Sequence, residues 1–194
     1  MRRIFLLASM AIGCGIAACS DGGGDGGGGP GGSSGDGGGG TGGGTGGSAP
    51  AACFDYTGWD GSTPAVSLRA DVMPILQGSC TFGSSCHGVE SGPAGKVYLG
   101  PSIAMQPSDE QLQEVLAQTV NAEAAVEAGM PRITPENPAR SFLMHKMDGT
   151  LNCGDLACAA TNSCKDAMPL RQPAIPTEKR DTVRRWIAQG ALDN

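Results

Sequence analysis

The sequence predicts a mostly α, small domain of about four short helices with long disulfide-stapled loops, placed after a disordered glycine-rich tether. Three observations predict it. Of 33 glycines in 194 residues, 19 fall in the 31 residues from Ser20 to Pro50. Without that block the composition is ordinary, and residues 51–194 suit one domain of typical size. Within them, apolar residues recur at helical spacing in four places, and only one short stretch reads as strand. Finally, six cysteines lie beyond residue 50.

The chain opens with Arg2 and Arg3, a short apolar stretch from Ile4 to Ala18, and Cys19. That order is a secretory signal, and it is too short for a membrane span. Ile16-Ala17-Ala18-Cys19 resembles the lipobox of bacterial lipoproteins. The resemblance implies cleavage after residue 18 and lipidation of Cys19. Cys14 is a rival in a poorer context, and an ordinary signal with an incidental cysteine is the plain alternative. Ser20 after the cysteine implies the outer membrane, by the same resemblance. The abrupt switch to Gly and Asp after Cys19 favours the lipid anchor, which holds stably when it carries several acyl chains. Residues 19–50 then form a tether. Glycine loses much backbone entropy on ordering, and no apolar side chain there offsets the loss. Its typical span is roughly 30 Å, at ~5–6 Å × √n.

Residues 51–65 read as an irregular strap holding Cys53, Phe54, Tyr56 and Trp59. Asp71 is placed to cap a helix over 72–77, with Leu68, Val72, Ile75 and Leu76 on one face and Pro74 in the first turn. Gly83–Gly95 is loop, and Lys96–Leu99 is the short strand. Ser108-Asp109-Glu110-Gln111 is a capping box opening a helix with Leu112, Val115, Leu116 and Val120 on one face. Pro131, Pro135 and Pro138 impose an extended segment. Pro138–Met147 is the next helix, with Phe142, Leu143 and Met147 inward and His145 on the solvated side. Gly149–Pro173 is a cysteine-bearing loop. Thr177 caps the last helix, where Val183, Trp186, Ile187 and Gly190 recur at helical spacing; Trp186 reads as core.

Residues 51–194 carry 11 Lys/Arg and 16 Asp/Glu, a net −5. That balance excludes a nucleic-acid binder, which needs a basic face. No Gly-Lys-Ser/Thr follows the glycine block, so it cradles no phosphate. No nucleophile–base set or carboxylate pair stands out, so the chain reads as a non-enzyme.

Cys53, Cys80, Cys86, Cys153, Cys158 and Cys164 are an even set in an exported chain, which reads first as three disulfides with 15 possible pairings. The competing reading centres on Cys80-x5-Cys86-His87-Gly88. Adjacent Cys and His with an upstream Cys is the pattern of covalent haem c. Two thiols add to the vinyl groups, and the neighbouring imidazole reaches the iron. The usual spacing between the cysteines is two residues, and here it is five. A Cys80–Cys86 disulfide is the alternative for the same pair. A zinc site from Cys86, His87 and the late cysteines is a smaller one.

Further segments accompany this motif in order: Val72-Met73-Pro74-Ile75-Leu76, then Ser141-Phe142-Leu143-Met144-His145-Lys146-Met147-Asp148-Gly149, Met168-Pro169 and Trp186-Ile187-Ala188-Gln189-Gly190-Ala191. Together they resemble the divergent c-type cytochrome modules of bacterial surface proteins, over about half of the domain. The resemblance implies a cytochrome c-like fold binding haem c. Cys80 and Cys86 would be the attachment residues, and His87 and Met168 the iron ligands. Met130-Pro131 is a poorer positional match for the distal ligand. The implied function is electron transfer at the cell envelope, with the membrane bound through lipid and a redox protein as partner. A haem-free, disulfide-stapled binding or structural module is the alternative.

Overall fold

The computed structural model describes residues 52–90, 97–153 and 156–194. The signal over 1–18, Cys14, Cys19, the tether and Lys96 lie outside them. The fold is helix-rich, with five α-helices among the described residues and one two-stranded sheet.

The first helical segment begins earlier than expected. A π-turn over Leu68–Val72 runs directly into α1, Met73–Cys80. Ser67, not Asp71, is the cap: its hydroxyl accepts from Ala70 N–H, while the Asp71 carboxylate accepts from Ser67 N–H. The two residues thus satisfy each other's exposed donors, as a capping box does. Pro74 sits in the first turn of α1, as expected. Val97–Leu99 is irregular rather than a strand.

The capping box opens α2, Asp109–Thr119. Ser108 accepts from Gln111 N–H, and the Gln111 side chain accepts from Ser108 N–H. Next comes a hairpin that the periodicity does not announce: β1, Glu123–Ala124, pairs antiparallel with β2, Glu127–Pro131. The helix expected over Pro138–Met147 is split. A 3-10 turn, Pro138–Arg140, is separated from α3, Phe142–Asp148, by Ser141 in extended backbone. The Ser141 hydroxyl donates to Asn137 O at 2.9 Å and accepts from Thr134 N–H at 2.9 Å, which holds the break. The cysteine loop contains a short helix, α4, Ala157–Ala160, whose first amides donate to the buried Glu127 carboxylate at 2.8 and 2.7 Å. The last helix, α5, is Thr177–Ala188; its N-cap is Pro176, and Thr177 is already helical. Gly190 lies beyond its end at φ 102°.

The main core joins the π-turn, α1, α2, α3 and α5 through Leu68, Val72, Met73, Leu76, Leu112, Met144, Met147, Val183, Trp186 and Ile187. Trp186 is core, as expected, and its indole N–H donates to Leu192 O. A second cluster, including Met130, Phe142, Leu156, Cys158 and Cys164, fills the space between the hairpin and α4.

Two disulfides between described residues staple the loops: Cys53–Cys153 and Cys158–Cys164. The first spans 100 residues and ties the strap to the segment after α3. Closing a loop of that length is worth about 4–5 kcal/mol in the chain-entropy account. The strap is also held by Gln189, whose amide donates to Gly61 O, Ser62 O and Pro64 O while its oxygen accepts from Val66 N–H.

Candidate functional site

Helix α1 ends at Cys80, and residues 81–88 fold into a compact turn beneath it. Thr81 is fully buried, and its hydroxyl donates to Pro101 O at 2.9 Å. Cys86 N–H donates to Gly83 O, and His87 N–H returns to Cys80 O at 3.0 Å. Gly88 permits the closure, because a Cβ there would stand 2.9 Å from Thr81 O. The turn therefore brings the backbones of Cys80, Cys86 and His87 close together.

His87 is oriented by its backbone and its ring alike. Its carbonyl accepts from Leu99 N–H, and its Nδ1 lies 3.0 Å from Val97 O. A carbonyl oxygen only accepts, so Nδ1 is assigned the proton. That is the tautomer of a histidine that ligates a metal through Nε2.

The two cysteines differ in state. Cys80 is 6 % exposed and belongs to the main core. It is a free thiol, so it is not paired with Cys86. Burial alone pushes its pKa up to about 12. The thiolate is the reactive and metal-binding form, so this sulfur is inert at neutral pH. Cys86 is buried and disulfide-bonded.

Met168 lies in the segment that follows Cys164. Its N–H donates to Lys146 O at 2.8 Å, and its peptide bond to Pro169 is cis. Lys146 Nζ donates to Cys164 O at 2.5 Å and Asp166 O at 2.8 Å, and lies over the Phe142 ring. The segment that presents Met168 is thus fastened to α3. Met130, the rival, is buried in the second core cluster. His145 is half-buried rather than solvated, with Nδ1 3.1 Å from Thr150 Oγ1 and Nε2 3.3 Å from Ala139 O.

Of two clefts that open elsewhere among the described residues, neither is lined by Cys80, Cys86, His87 or Met168. Among the described residues, no group of three or more His, Cys, Asp and Glu could hold a metal ion. No helix among them is long and apolar enough to cross a membrane.

Sequence reasoning missed the charged network under the strap. Arg184 on α5 is 1 % exposed and pairs with Asp148 at 2.6 Å and with Asp181. Arg180 reaches the other Asp148 oxygen at 2.6 Å. The Arg184 guanidinium also stacks 3.6 Å from the centroid of Phe54. Burial acts to lower the Arg184 pKa, but the hydrogen bond and charge of Asp148 outweigh it, so the group stays ionised. The i,i+4 spacing of Arg180 and Arg184 was the available signal: it puts both on one face of α5.

Comparison of the chain with protein-family models, with curated proteins and with solved structures finds no match in any of the three.

Proposed function

We propose that the chain is a haem-free, disulfide-stapled binding or structural module of the bacterial cell envelope. It is carried by lipid on Cys19 and a glycine tether, with the outer membrane as its location. It makes and breaks no substrate bonds. The observation that carries this reading is the Cys80 thiol, enclosed among Leu76, Leu99, Met73 and the other side chains of the main core. A doubly thioether-linked haem needs both sulfurs at its edge. As packed, Cys80 faces the core, a placement that does not suit that attachment. The staples Cys53–Cys153 and Cys158–Cys164 supply in covalent form what a small core lacks.

One observation favours a second reading, the cytochrome c-like electron-transfer protein. The Val97 carbonyl fixes His87 in the tautomer suited to an axial ligand. In that reading Met168 is the distal ligand, and the thioether favours ferrous iron and raises the potential. The partner is a redox protein.

The visible spectrum of the full chain separates the two, after expression in a host equipped for haem attachment. The proposal expects no Soret band. A band that survives denaturation identifies covalent haem and replaces the proposal with the second reading.

A further inference from the structure

The larger of the two clefts, about 520 Å³, lies between the strap and the turn that precedes α3. Tyr56, Trp59, Asp60 and Ser62 line it from the strap, and Glu136 and Asn137 from the turn. Tyr56 and Trp59 meet edge to face at 5.9 Å between centroids, behind which Phe54 stacks on Arg184. Trp59 is seated by Gly61: a Cβ there would fall 2.7 Å from the indole and 2.6 Å from Ala188 Cβ. The aromatic wall is therefore built into the fold.

The polar lining is mostly acceptor. Asp60 Oδ1 accepts from Ser62 N–H and hydroxyl, at 2.8 and 2.6 Å. Those bonds, with a smaller pull from Arg185, keep its carboxyl below the usual range, so it is charged at neutral pH. Asn137 Oδ1 accepts from Arg140 N–H. Glu136 is exposed, and its N–H donates to Ile187 O at 2.8 Å, which fixes its backbone at φ 64° beside the end of α5. Asp60 and Glu136 thus line the same cleft as Tyr56 and Trp59, and no Lys or Arg is among its lining residues, although the Arg184 guanidinium lies 6.0 Å from the Tyr56 ring centroid.

We propose that this cleft binds an organic cation bearing N–H donors, of the alkylammonium or guanidinium class. The carboxylates take the charged donors, and the aromatic wall takes the apolar stem and contributes cation–π attraction. A neutral ligand of the same shape leaves both carboxylates uncompensated. The site is independent of how the Cys80–His87 turn functions, since the two share no residue. It deepens the binding-module reading by naming the ligand's chemistry.

The test uses the full chain and 1,5-diaminopentane, followed by the indole N–H resonances of Trp59 and Trp186. The diamine should shift the Trp59 resonance saturably and leave Trp186 unmoved, because Trp186 is buried in the core. Its neutral analogue 1,5-pentanediol should shift neither. Glu136→Gln should weaken binding about two- to fivefold, the size of one exposed ion pair. Added salt should weaken binding to the wild-type chain, which keeps the proposal testable should Glu136→Gln fail to fold. Equal shifts from the diol, salt-independent binding, or no saturable shift of Trp59 would overturn it.

Discussion

The sulfur of Cys80 is silent at neutral pH because of where α1 puts it. Val72, Leu76 and Cys80 are spaced four apart, so a helix that reaches Cys80 carries its thiol along the buried stripe. The same spacing was readable in the sequence, where the helix over 72–77 runs directly into Cys80. That residues from Gly83 onward form a loop was legible, and turns stand there in the structure. The orientation of the Cys80 thiol was not. The raised pKa has a consequence for stability. Below about pH 9 both folded and unfolded chains keep this proton. Between about pH 9 and 12 only the unfolded chain releases it, so stability falls by about 1.4 kcal/mol per pH unit through that window. Burial also raises Tyr98 and Tyr56, which steepens the fall above about pH 10. Cys80→Val should flatten the loss between about pH 9 and 10, read by urea unfolding at each pH. An unchanged slope would mean that the thiol is not buried.

Elements announced by local chemistry were legible, and those set by tertiary contacts were not. The α2 capping box needs only Ser108 and Gln111, three residues apart, and it forms as the sequence reads. Ser108→Ala should cost about 1 kcal/mol, measured as a shift in the urea midpoint at constant slope. No loss would show that α2 is held by packing alone. The β1–β2 hairpin is the opposite case. Glu123–Glu127 is rich in Glu and Ala, which favour helix, and its two connecting residues are Ala125 and Val126, without Gly or Asn. What fixes it is distant: Glu127 accepts the first amides of α4, 30 and 31 residues on. Likewise, Ser141 interrupts the α3 helix through hydrogen bonds to Thr134 and Asn137, which 3.6-residue periodicity does not encode.

At the scale of the molecule, the helical periodicities and an even set of cysteines beyond residue 50 led to a helix-rich, stapled domain. The pairing itself, Cys53–Cys153 and Cys158–Cys164, was one of several arrangements open to the sequence. The strap is where covalent and electrostatic restraints converge. Cys53 is bridged to Cys153, the neighbouring Phe54 stacks on Arg184, and Gln189 clamps residues 61–66. The central claim is that this domain is closed by its own side chains, with the Cys80 sulfur sealed inside and no thioether to haem. Alkylation of the full chain without reductant, before and after denaturation, with the modified cysteine identified by peptide mass, tests that claim most directly. The account predicts Cys80 unmodified in the folded chain and fully alkylated once it unfolds. Recovery of Cys80 as a haem thioether, recovery as a disulfide with Cys86, or immediate alkylation of the folded chain would contradict it.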